Sequence, residues 1–147
     1  MSMMNFLKNQ FLFRVYNKEI NYGKKLKNFE NSNRIDNIAV IFDGDLAVPE
    51  DLFIALGSVF GISKGKIFLL TYSGLNKKDK NSYSKRCFSI SDIGFFGKFN
   101  NRLNRFCSKN YDVLINYYDR NFLPMKLVSL RCKNKMSLGF GNVDHRL

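Results

Sequence analysis

The amino-acid sequence predicts a three-layer α/β domain: a mostly parallel sheet of about five strands, flanking helices and a basic N-terminal helix. Three observations carry that expectation. Two continuous apolar runs, Asn37 to Asp43 and Ile67 to Tyr72, have strand length and lack the polar alternation of a half-exposed sheet. A helical pattern stands between them, making a βαβ unit whose crossover is right-handed. Apolar runs at Tyr111–Tyr118 and Lys135–Phe140 then alternate with further helical patterns, and 147 residues suffice for one ordinary domain but not two.

Taken in order, residues 4–29 read as a basic amphipathic helix or helix pair. Phe6, Leu7, Phe11, Phe13, Val15 and Tyr16 are set against Lys8, Arg14, Lys18, Lys24, Lys25 and Lys27, and Gly23 is a candidate break. Asn28 to Asn33 is a polar connector. Residues 1–34 are therefore expected to form a helical extension and residues 35–147 the α/β domain. After the first strand and its Asp43-Gly-Asp45 ending, Pro49-Glu50-Asp51 opens a helix with acids at its positive end. Leu52, Phe53, Leu56, Val59 and Phe60 are expected on its buried face, with Gly61 as its stop.

The second strand, Ile67–Tyr72, leads into a polar, basic loop over residues 73–86. Cys87–Ile90 is a candidate short strand, residues 94–100 a turn, and Asn101–Asn110 a short helix. Tyr111–Tyr118 is the next strand. Asn121 is placed to cap a helix carrying Phe122, Leu123, Leu127, Val128 and Leu130, and Lys135–Phe140 closes the sheet.

Lys and Arg number 24 against 12 acids, a net charge of +12. Residues 1–35 carry net +5, residues 36–73 net −3, residues 74–110 net +7 and residues 111–147 net +3, so the surplus lies outside the apolar centre. Eighteen asparagines beside many Lys, Phe and Tyr resemble the drift of an AT-rich genome, which accounts for part of that excess. Cys87, Cys107 and Cys132 are odd in number and match no disulfide or zinc framework, so reduced thiols in a cytoplasmic protein are expected. No apolar run approaches the roughly 20 residues of a membrane span.

No catalytic set assembles in the sequence, and no cofactor is implied. Asp43 and Asp45 end a buried strand, where open α/β sheets bind ligands, and a carboxylate pair there could hold Mg²⁺ together with substrate phosphates. The segment resembles the nucleophile strand of haloacid-dehalogenase-type phosphatases, with Thr71 or Ser73 ending the next strand. It departs from that pattern at Ala47, which is neither Thr nor Val, and in having only Asp144 where an acidic pair is needed. Asp and Gly are also ordinary turn residues. Gly139-Phe-Gly141 is a fragment of a dinucleotide fingerprint that lacks its third glycine, and His145 is the only histidine.

The basic constellation is larger. Lys77, Lys78, Lys80, Lys85 and Arg86 share the polar loop; Lys98, Arg102, Arg105 and Lys109 follow; Lys24, Lys25 and Lys27 stand in the N-terminal segment. Arg102 and Arg105 are spaced to share a helix face. Phe95, Phe96 and Phe99 interleave, and exposed rings there could stack on unpaired bases.

Four stretches occur in the same order in a family this chain resembles: Gly61–Ile67, Gly97–Asn100, Tyr111–Asp119 and Met136–Leu147. That family is a domain of unknown function, small uncharacterised α/β proteins common in Bacteroidota. The resemblance implies a cytoplasmic bacterial protein and no particular activity. Its members usually continue past the Arg146-Leu147 pair with a further strand and helix, so the expectation here is an uncovered sheet edge, a protein partner that covers it, or, equally, a shortened gene.

The leading functional expectation is a non-enzymatic cytoplasmic protein that binds structured RNA, on a ribosomal particle, through charge and shape. One alternative is a Mg²⁺-dependent phosphate-handling enzyme using Asp43 and Asp45. Another is a protein-interaction or membrane-peripheral module working through the N-terminal helix.

Overall fold

The computed structural model describes residues 3–23, 34–46, 49–74 and 87–140. Within them the chain forms α1 (Met3–Gly23), β1 (Ile38–Asp43), α2 (Glu50–Val59), β2 (Ile67–Tyr72), β3 (Cys87–Phe88), α3 (Asn101–Ser108), β4 (Tyr111–Tyr117), α4 (Leu123–Arg131) and β5 (Asn134–Gly139). The five strands make one sheet in the order β3-β2-β1-β4-β5, and every pairing is parallel. This is the three-layer α/β architecture that the alternating pattern predicts.

β1 is central, pairing Ile38 with Ile67 on one side and with Val113 on the other. Its residues are apolar without alternation because both faces are covered. Ile38, Val40 and Phe42 enter a core beneath α2 with Phe53, Ile67, Leu69 and Val113. Ala39 and Ile41 enter the opposite core, formed with α1, α3 and α4. The helix expected as an extension is built into that second core: α1 buries Leu12, Tyr16 and Ile20 beside Met125, Leu127 and Val128 of α4. Glu19 of α1 then accepts two hydrogen bonds from Arg131, at 2.8 and 2.6 Å. The described part of α1 runs to Gly23, and the residues that follow the break expected there lie outside the described ones.

α2 departs from the expected buried face. Phe53 is buried, but Leu52, Val59 and Phe60 are exposed. The reason is Gly57, where a Cβ would stand 2.2 Å from Ile67 Cδ1. With no side chain there, the helix lies directly on β2 along the Phe53–Gly57 line and turns the apolar residues on either side outward. α2 then closes with a Schellman motif: Ile62 N–H donates to Gly57 O, Gly61 N–H donates to Ser58 O, and Gly61 takes φ +66°.

The cap of α4 also differs from expectation. Phe122, not Asn121, occupies the N-cap position, and it makes no side-chain cap. Pro124 lies in the first turn, where its fixed φ and missing N–H suit the helix start. α3 is capped by Asn100, whose Oδ1 accepts from Leu103 N–H at 2.9 Å. The strand expected over Cys87–Ile90 shortens to Cys87–Phe88.

Candidate functional site

In a parallel sheet, residues that lead into strands gather at one end and residues that follow strands gather at the other. The chain order reverses at β1, so the crevice between the carboxyl ends of β1 and β4 is the topological switch point where α/β ligands usually bind. Asp43 closes β1 at this point and is fully buried. Its Oδ1 accepts from Asp45 N–H at 3.0 Å, and its Oδ2 accepts from Arg120 Nε at 2.8 Å and from Arg120 Nη2. Arg120 Nη2 also donates to Asp45 Oδ2 at 2.9 Å.

One guanidinium from the β4–α4 connection thus joins both carboxylates of the β1–α2 turn. The hydrogen bonds that Arg120 donates to Asp43 and Asp45 raise its pKa further, and burial, then the Asp43 charge, pushes the Tyr72 hydroxyl up to about 12. Gly44 N–H donates to Tyr72 O at 2.9 Å, and Leu46 N–H to Asp43 O at 3.0 Å, so Asp43-Gly-Asp45 forms a tight turn as well. Thr71 Oγ1 is buried without a partner, and Ser73 is half-buried. Among the described residues no group of three or more His, Cys, Asp or Glu is arranged to hold a metal ion.

The opposite end of the sheet is basic. Arg34 leads into β1, Lys64 and Lys66 into β2, Lys109 into β4 and Lys133 into β5. Lys64, Lys66, Lys109 and Lys133 are exposed, and none has a carboxylate partner among the described residues. Lys109 Nζ lies 4.0 Å from the centre of the Phe68 ring, a cation–π contact that fixes its stem.

Two carboxylates at this end are occupied. Asp36 pairs with Arg34 at 3.0 Å, and Asp112 accepts from Lys135 Nζ at 2.7 Å and from the Asp36 and Asn37 N–H groups at 2.7 and 3.1 Å. Burial alone would push the Asp112 carboxyl up; these hydrogen bonds and the Lys135 charge outweigh it and hold the carboxyl below its ordinary range. Beside this network opens a groove of about 520 Å³, lined by Arg34, Ile35, Asp36, Phe60, Gly61, Ile62, Ser63 and Lys66.

The residues singled out in the sequence divide three ways. Lys24, Lys25, Lys27, Lys77, Lys78, Lys80, Lys85 and Arg86 lie outside the described residues, as do Asp144 and His145. Lys98 and Arg105 are exposed, whereas Arg102 is bonded to Asp92 at 3.2 Å. Of the described ones, Lys109 belongs to the basic end. Of the three phenylalanines, Phe99 is buried against the Arg131 guanidinium, Phe95 is half-buried against Phe11, and Phe96 is exposed.

Arg34, Lys64, Lys66 and Lys133 were not visible as a group, because they are scattered along the chain. The signal that finds them is position: each stands just ahead of a parallel strand. Elsewhere α1 exposes Met3, Met4, Phe6, Leu7 and Phe13, and no described helix is long and apolar enough to cross a membrane.

A family model described as a family of unknown function, DUF6913, matches residues 8–147. The chain belongs to DUF6913. The match takes in α1 with the sheet, so the DUF6913 unit includes the N-terminal helix that completes the second core. No curated protein and no solved structure matches the chain.

Proposed function

We propose that this protein is a non-enzymatic, cytoplasmic, ribosome-associated binder of structured RNA, and that the N-terminal end of its sheet is the contact surface. One observation carries the reading: exposed Lys64, Lys66, Lys109 and Lys133 share one end of the sheet, while Asp43, Asp45, Asp51 and Asp119 share the other. A polyanion meeting these molecules is steered to one orientation, and each phosphate bound by a lysine releases condensed counterions. The lysines of residues 24–27 and 77–86, with Lys98 and Arg105, add to the attraction in this reading.

Four phosphate contacts give a log–log slope of affinity against salt of about −3. Replacing Lys64, Lys66, Lys109 and Lys133 with Glu should abolish RNA retention in a filter-binding assay and remove the protein from ribosomal fractions of a sucrose gradient. Retention indifferent to that reversal ends the proposal.

A second reading, Mg²⁺-dependent phosphate handling, is favoured by the place of Asp43 and Asp45 at the switch point and opposed by Arg120, which already engages both carboxylates. Turnover of phosphorylated substrates that is lost in Asp43→Asn would support it; absence of turnover across such a panel removes it.

A further inference from the structure

The groove at the basic end has a composition that a plain phosphate site would not have. Its lining is mostly polar but includes Ile35 and Ile62, and Phe60 presents a half-exposed ring at the C-cap of α2. The Schellman closure around Gly61 fixes the backbone that carries this ring, so stacking on it costs little ordering. Cations sit at the rim: Arg34, with a side chain 86% exposed, and Lys66. Asp36 lies in the lining as well, held by Arg34 at 3.0 Å.

A phosphate seated deep in the groove would meet the Asp36 carboxylate. A neutral ring with amino or imino N–H donors would not, and it would bury apolar surface against Phe60, Ile35 and Ile62 while its own phosphate stayed with Lys66. A volume of about 520 Å³ admits one nucleotide.

From this we infer that the groove holds a single unpaired nucleotide of the bound RNA, its base stacked on Phe60 and its phosphate on Lys66. The inference rests on the RNA-binding reading and adds to it a demand for single-stranded character, because a base inside a duplex cannot reach the ring. The lysines at the other strand starts then hold the flanking backbone without reading sequence.

The test uses the full chain, a short single-stranded RNA and a blunt-ended duplex RNA, compared by fluorescence anisotropy at one salt concentration. Phe60→Ala should weaken single-strand binding roughly tenfold and leave duplex binding and the salt slope unchanged. Phe60→Tyr should restore the affinity. The chain contains no tryptophan, so Phe60→Trp supplies a lone reporter whose emission should be quenched by the single strand and not by the duplex.

Equal effects of Phe60→Ala on both RNAs, or none on either, overturn the groove assignment while leaving the electrostatic surface standing. Quenching of Phe60→Trp by free mononucleotides as strong as that by the oligonucleotide also overturns it, because the site would then serve a small ligand. Absence of salt-sensitive RNA binding by the unaltered chain overturns both readings.

Discussion

Replacing Arg120 with alanine tests what the switch-point cluster does for the fold. Asp43 is fully buried, and its Oδ2 depends on two Arg120 nitrogens, while Oδ1 keeps the Asp45 N–H. Truncating Arg120 strands a carboxylate inside the protein, a loss of about 3–5 kcal/mol for buried pairs. Arg120 itself is 53% exposed, so water can enter the vacated space and the lower figure, about 3 kcal/mol, is expected.

Asp45 shares the same guanidinium at 2.9 Å, but it too is 53% exposed, so Asp45→Ala should cost under about 1 kcal/mol. Burial, not contact length, separates the two partners. The decisive variant is the double one: adding Asp43→Ala to Arg120→Ala removes the stranded charge and should recover part of the loss. Urea unfolding followed by far-UV circular dichroism, with m unchanged, gives all four values, that of Asp43→Ala alone included. An Arg120→Ala cost no larger than that of Asp45→Ala, or a double variant equal to the sum of its single ones, refutes the account.

Three further outcomes follow from the same geometry. Asp112 has a lowered carboxyl pKa, so its stabilising contribution is complete above the unfolded value near ~3.9 and is lost as pH falls through the lower folded value. Asp112→Asn should therefore be less stable than the unaltered protein at neutral pH and show a flatter stability profile below about pH 4, read by thermal unfolding across acid pH. Gly57→Ala, which helix propensity alone would favour, should destabilise by about 1 kcal/mol because the new methyl displaces the buried Ile67 side chain and stands 3.0 Å from the Ile62 carbonyl oxygen; a rise in melting temperature would contradict this. Gly61→Ala has open space but a left-handed backbone, so it should cost about 1 kcal/mol in urea unfolding without any packing defect.

Much of this architecture is written in local pattern. The run from Asn37 to Asp43 is apolar at every core position because Ile38 and Ala39 face different helices, so strand and double burial are read together. The stop at Gly61 is equally local. The buried face of α2 was misread because a hydrophobic count gives Gly57 no weight, although its missing side chain sets where the helix touches β2. Arg120 drew no attention as a lone arginine in a turn. It becomes a partner of Asp43 only when β4 is placed next to β1, and pairing order is not a local property. The cations suffered the same fate: clustering along the chain favoured Lys77–Lys85, whereas a parallel sheet brings together Lys64, Lys109 and Lys133 from segments far apart in sequence.

The two ends of the sheet are chemically opposed, and this bears on where a polyanion can dock. Among the described residues at the switch point, Asp43, Asp45 and Asp119 outnumber Arg120, whose guanidinium is already committed to two of them. A phosphate arriving there must break a bond to a buried carboxylate and then stand beside two others, with several kcal/mol against it. At the amino end the carboxylates of Asp36 and Asp112 are each paired with a cation, and the exposed Lys64, Lys66, Lys109 and Lys133 have no carboxylate partner among the described residues. A phosphate reaching those lysines displaces only water and counterions, which is why the proposed contact surface is set at the amino end and not at the switch point.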